Sequence, residues 1–260
     1  MARTSIVIST WNLLEPYHRR CIIRAREEIG EGEIIVMDNG SKDGTPFYLR
    51  EALKCGLIDK LKLFEENKGV SRSRNYGVTL AQYSRVMLLD GDILIPRGWI
   101  ALANQYLDEN PQHRAISIYP ALCTADSNNY TDKLDKLREV HESQTSCTNV
   151  GIYRKPFLQE IPFPEVAEYQ EAGWGFEDTI MSAVAYAKGI RWAHVYDEKI
   201  KYLHPLNSSR KLLIRQLGEQ EANRRQTRRR NMFEKSVAIL KSPQIAAMPA
   251  NKIYQLCAQG

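Results

Sequence analysis

The sequence holds no run approaching the roughly 18 consecutive apolar residues that a membrane-spanning helix needs. Its N-terminus reaches strand-like text at once, at Ser5-Ile6-Val7-Ile8-Ser9, without the apolar core of a signal peptide. Cysteine is sparse: the five residues at 21, 55, 123, 147 and 257 make an odd count with no C-x-x-C pair. Neither a disulfide framework nor a thiolate zinc site is indicated, and free thiols in a cytoplasmic protein are the expectation. No internal repeat or low-complexity tract is present. The G-x-G-x-x-G that a nicotinamide-dependent oxidoreductase carries after its first strand is absent, and Ser9-Thr10-Trp11-Asn12 stands there instead. The Gly- and Arg-rich loop expected of a nucleotidyltransferase is missing from the same place.

What remains is ordinary globular text of 260 residues, 43% hydrophobic and 26% charged, which excludes disorder as the global state. The net charge of +5 is unevenly placed. Residues 210–230 hold eight Arg or Lys against two Glu, so the rest of the chain is close to neutral. A basic segment of this kind suits an anionic partner, either nucleic acid or a membrane surface. It lacks the interleaved aromatics that stack on bases, and a solvated helix face is the third reading.

Strand and helix signals alternate through the first hundred residues. Strands are expected at 5–10, 33–37, 61–64 and 85–89, and helices at 12–29, 45–55 and 70–81, with Thr45 as cap and Pro46 opening the second helix. Strands apolar on both faces, each followed by a helix, predict a mostly parallel sheet covered on both sides. Further strands are expected at 115–119, 150–154 and 190–196. Helices are expected at 130–142 and 178–188, with a loop at 161–175. From 206 onward the text is helical and basic, with an apolar patch at Phe233, Val237 and Leu240. The expected division is an α/β body over 1–205 and a helical extension over 206–260.

Ligands of such sheets bind at the carboxyl ends of the strands, and four motifs fall there or nearby. Asp90-Gly91-Asp92 follows a buried strand. Its two carboxylates suit a hard cation, Mn2+ or Mg2+, although a turn between two strands would look the same. Residues 38–45, Asp-Asn-Gly-Ser-Lys-Asp-Gly-Thr, form a tight loop before a helix. Residues 67–75 place Lys68, Arg72 and Arg74 at a helix start, where an anion such as pyrophosphate is favoured. Gly173-Trp174-Gly175-Phe176-Glu177-Asp178 joins a flexible indole to paired carboxylates at a helix start. They read either as a general base or as acidic caps on a helix.

Together these motifs, in this order and spacing over residues 4–205, resemble the GT-A-fold glycosyltransferases of family 2. The 173–178 segment also resembles that of β-1,4-galactosyltransferases and chondroitin polymerases. The chain differs from many members at Ser9, where they have Pro, and at Trp11, where Tyr is common. The resemblance implies a metal-dependent, inverting transferase of hexosyl type that uses a nucleotide-sugar donor, expected to be a UDP-sugar. Thr10, Trp11 and Asp38 would hold the nucleoside. Lys68 and Arg74 would lie near the nucleotide or its phosphates, and Asp90 would contact the ribose. Asp90, Asp92 and His204 would hold the metal. Trp174 and Glu177 would bind the acceptor, and Asp178 would be the catalytic base. The alternative function is nucleic-acid binding or modification through the Arg-rich segment.

Overall fold

A computed structural model describes residues 2–13, 16–118, 121–123, 132–143, 150–166, 169, 176–196, 201–203 and 218–259. Ten strands are described: β1 (Thr4–Thr10), β2 (Glu33–Asp38), β3 (Lys60–Leu63), β4 (Arg85–Asp90), β5 (Ala115–Ile118), β6 (Ala121–Cys123), β7 (Val140–Ser143), β8 (Val150–Arg154), β9 (Trp192–Val195) and β10 (Lys201–Leu203). The helices are α1 (Pro16–Ile29), α2 (Thr45–Lys54), α3 (Val70–Leu80), α4 (Trp99–Glu109), α5 (Lys155–Glu160), α6 (Phe176–Ala187), α7 (Glu219–Leu240) and α8 (Ala250–Gln259).

Eight strands form one sheet in the order β3-β2-β1-β4-β8-β5-β9-β7, and β10 and β6 form a separate parallel pair. The half from β3 to β4 is parallel, as the apolar runs predict, while β8 and β7 run antiparallel to their neighbours. Every residue of β1 and β2 is buried, because helices cover both faces. Successive side chains point to opposite faces. Ile6, Ile8, Ile34 and Val36 pack with α1, α2 and α4. Val7, Ile35, Met37 and Leu88 pack with α3, α5, α6 and α8.

Three expectations change in detail. The first helix begins at Pro16 rather than Asn12, whose backbone takes a left-handed φ of 52°. Thr45 is the first helical residue, and its hydroxyl accepts from the Leu13 N–H at 2.9 Å rather than capping α2. The helix expected at 130–142 is absent among its described residues. The Arg97 N–H donates there to the Asp132 carbonyl at 2.6 Å and the Leu134 N–H to the Arg97 carbonyl at 2.8 Å, Arg24 pairs with Asp132 at 2.7 Å, and β7 joins β9. Tertiary pairing outweighs the helical spacing of that charged stretch. Helices α4 and α5 carry no sequence expectation. Cys21, Cys55 and Cys257 form no disulfide. The division expected at 205 falls outside the described residues. Beyond them, Phe233 and Leu240 of α7 pack on the core, and Ile253 and Tyr254 of α8 lie within it.

Helix α3 lies close against β1 and β2, and Gly77 permits the approach. A Cβ at Gly77 would lie 2.3 Å from Val7 Cγ1 and 3.2 Å from Met37 Cγ. Gly77→Ala should therefore lower stability by about 1–3 kcal/mol through overpacking. Urea unfolding at unchanged slope measures it. An unchanged midpoint would contradict the close approach of α3 to β1.

Candidate active site

Register brings the motifs together. Thr10 lies opposite Asp38, and Ser9 lies opposite Asp90, so three carboxyl ends of adjacent parallel strands line one crevice. Backbone and side-chain hydrogen bonds then stitch the loops that leave those ends. The Asn39 N–H donates to the Thr10 carbonyl at 2.8 Å. The Lys42 N–H donates to Asn12 Oδ1 at 2.9 Å, and the Asn12 N–H donates to Ser41 Oγ at 2.7 Å. Asn39 extends the seam to the third loop: its Nδ2 donates to Asn67 Oδ1 at 2.8 Å, and its Oδ1 accepts from the Lys68 N–H at 3.0 Å.

Gly40 completes this seam with a φ of 77°, and a Cβ there would lie 2.5 Å from the Glu66 carbonyl carbon. Both conditions call for glycine. The sequence motifs single out Asp38 and Lys68 but not Asn39 and Ser41. The Asp-Asn-Gly run is their available signal, since Asn side chains commonly bond backbone in turns.

Asp38 is 1% exposed, and its carboxylate accepts from the Ser41 N–H at 3.0 Å and from the Ser41 hydroxyl. Burial pushes its pKa up, against the Ser41 hydrogen bonds. Trp11 is 40% exposed at the rim of the crevice, and Lys68 is exposed and paired with Glu66. Gly91 turns the chain after β4, its N–H donating to the Ser9 carbonyl at 3.0 Å. A Cβ at Gly91 would lie 2.8 Å from Leu13 Cδ1. Asp90 and Asp92 flank this turn, both partly exposed.

Arg74 is the centre of the site. The α3 helix carries its guanidinium beneath the crevice, where it is 4% exposed. One nitrogen, Nη2, donates to Asp90 Oδ1 at 2.9 Å. The other, Nη1, donates to Asp178 Oδ1 at 2.6 Å and lies 3.5 Å from Glu177 Oε1. Residues 74, 90, 177 and 178, from three separate elements, thus share one ionic cluster. Glu177 and Asp178 also occupy the first turn of α6, where the helix dipole favours negative charge.

Burial opposes a charged Arg74, but Asp178, Asp90 and Glu177 outweigh it and raise its pKa, so the guanidinium stays protonated. Asp178 is pushed up to about 8 by burial, with Glu177 and Asp90 adding to the rise and Arg74 opposing it. One cation shared among three carboxylates leaves a surplus of negative charge, which a proton on Asp178 relieves.

Hard carboxylate oxygens at Asp90 and Asp92 match Mn2+ or Mg2+ in chemistry. Among the described residues no group of three His, Cys, Asp or Glu side chains converges on one point. His204, the third expected ligand, and Trp174 lie outside the described residues.

The Asp178 shift has a measurable sign. Between its ordinary value of 3.8 and about 8, the folded chain holds a proton that the unfolded chain has lost. Its contribution to stability is full below about pH 4 and vanishes as pH rises through about 8. In chelator, stability should therefore fall from about pH 5 to about pH 8 more steeply in the native protein than in Asp178→Asn. Urea midpoints at the two pH values give the slopes, and parallel slopes would contradict the raised pKa.

Comparison with known proteins accords with this geometry. A model described as glycosyl transferase family 2 matches residues 5–157. The minor teichoic acid biosynthesis protein GgaB of Bacillus subtilis (strain 168) is 27% identical over 142 residues, 51% of this chain and 16% of GgaB. The chain thus spans a minor part of that relative's length. Among solved structures, S. aureus TarS 1–349 in complex with UDP-GlcNAc superposes with a TM-score of 0.65 at 18% identity, covering 99% of this chain and 71% of that one. GalNAc-T7 with UDP, GalNAc and Mn2+ gives 0.66 at 15% identity, covering 99% and 54%. The mannosyltransferase PcManGT of Pyrobaculum calidifontis, in complex with GDP-Man and Mn2+, gives 0.59 at 15% identity, covering 99% and 86%. These likenesses establish the GT-A glycosyltransferase fold. With its strand-end motifs inside a family match that covers more than half its length, the chain belongs to glycosyl transferase family 2.

Proposed function

We propose that the chain transfers a sugar from a UDP-sugar to an acceptor nucleophile by direct displacement, with inversion at the anomeric carbon. The observation that carries the reading is the Arg74 cluster, which sets Asp178 beside the carboxyl end of β4 and the loops of β1 and β2. In this reading Thr10, Trp11 and Asp38 hold the nucleoside. Lys68 and Arg74 lie near the nucleotide or its phosphates, and Asp90 contacts the ribose. Asp90, Asp92 and His204 would hold Mn2+ or Mg2+, and the ion would supply positive charge for the diphosphate leaving group. Trp174 and Glu177 bind the acceptor. In its ionised form Asp178 takes the proton of the attacking group, and its raised pKa makes that form more basic than an ordinary carboxylate. The UDP in the TarS and GalNAc-T7 complexes supports the uridine donor, while the GDP-Man of PcManGT marks the competing base.

The exposed Arg224 and Arg228 give α7 a cationic face for an anionic acceptor or surface. GgaB is named for minor teichoic acid biosynthesis, and an anionic acceptor would suit that face. A nucleic-acid partner has no support beyond the charge itself. Among the described residues no helix is long and apolar enough to cross a membrane.

Two experiments test the reading. UDP with Mn2+ should raise the melting temperature by mass action more than GDP does, and chelator or Asp92→Ala should shrink the shift. A larger response to GDP would sink the uridine assignment. Asp178→Asn keeps the shape but loses the basicity, and should lower turnover by about a hundredfold or more while leaving the UDP shift intact. Near-native turnover in that variant, or a product with the donor's anomeric configuration by proton NMR, would overturn the mechanism.

A further inference from the structure

The described part of the loop after α5, residues 161–166, has no regular secondary structure, so side chains from elsewhere in the chain hold its backbone. Asn75, next to Arg74 on α3, clamps Phe163 on both sides. Its Oδ1 accepts from the Phe163 N–H at 2.8 Å, and its Nδ2 donates to the Phe163 carbonyl at 2.8 Å. The preceding carbonyl, that of Pro162, accepts from the Tyr254 hydroxyl of α8 at 2.7 Å. These tethers hold the Phe163 ring over the Arg74 guanidinium, 5.0 Å from ring centre to Cζ.

Tyr254 also reaches the other side of the site. Its carbonyl accepts from the Tyr169 hydroxyl at 2.8 Å, and the Tyr169 ring lies 5.3 Å from Phe176, the residue that opens α6 ahead of Glu177 and Asp178. Tyr254 is fully buried, and burial raises its pKa well above the usual value, so the hydroxyl remains a donor at any working pH. Phenylalanine would fill the same space. The hydroxyl adds one thing, the bond to Pro162.

We propose that Tyr254 is a positioning residue for the reaction site: through Pro162 it holds Phe163 against Arg74, and α8 is thereby part of the catalytic unit. Asn75 is its counterpart on α3. The matched family region ends at 157, so Pro162, Phe163 and Tyr254 lie beyond it, while Arg74 and Asn75 lie within it. The inference rests on the proposed transfer for its kinetic arm alone.

The test compares Tyr254→Phe with Ile253→Val, which loosens the packing of the same helix without touching the loop. Hydrogen exchange of the Phe163 amide is read by NMR, and turnover of a UDP-sugar is measured alongside. Tyr254→Phe should speed Phe163 exchange about tenfold and lower kcat about tenfold, with the KM for donor and the UDP-induced melting shift unchanged. Ile253→Val should change each by less than about twofold. Asn75→Ala cuts the other tether and should reproduce both changes, which keeps the test open if Tyr254→Phe fails to fold. Unchanged Phe163 exchange in Tyr254→Phe would overturn the brace, as would equal effects in Ile253→Val. Faster exchange with native kcat would overturn its part in the reaction. If the native protein turns over no nucleotide sugar, the transfer reading fails, and the exchange arm still decides the brace.

Discussion

A single buried guanidinium organises the reaction end of this molecule. Arg74 cannot shed its proton, and it cannot sit uncompensated beneath a sheet, so carboxylates must converge on it. Three do, from β4 and from the first turn of α6. The requirement couples elements that the chain separates by about a hundred residues. It fixes where α3 must begin, how far β4 must extend and where α6 must start. The fork of the guanidinium sets two of these directions at once, which a lysine ammonium would not do.

Strands β1, β2 and β4 of the parallel half were legible in the sequence because they are buried on both faces and read as near-continuous apolar runs, whereas edge strand β3, Lys-Leu-Lys-Leu, is half-buried. The motifs at the strand ends were legible because glycine and aspartate mark the turns after them. The second half was less so. The charged stretch at 130–142 has helical spacing, but backbone bonds from Arg97 to Asp132 and from Leu134 to Arg97 draw part of it into irregular structure. Such long-range pairing leaves no local periodicity. The strand β8 could be found as a strand, yet nothing in its composition announces that it runs antiparallel.

The candidate site divides along the same line. Asp38, Arg74, Asp90, Glu177 and Asp178 carry charge at places where charge is conspicuous. Asn39, Ser41 and Asn75 act through ordinary amide and hydroxyl groups, and their importance appears when the partner backbone is in view. Tyr254 is the extreme case. In the sequence it is one aromatic in an amphipathic helix, and its hydroxyl has meaning through a carbonyl 92 positions earlier.

That separation has a consequence in time. During synthesis, at about 5–20 residues per second, the parallel strands and Arg74 emerge well before the segment that steadies Phe163. Roughly 5–20 seconds pass between the making of Pro162 and the making of Tyr254 at those rates. Through that interval the apolar side of the 161–166 loop has no cover from α8. A nascent chain of this protein thus carries an unfinished and adhesive end of the sheet until α8 has left the ribosome.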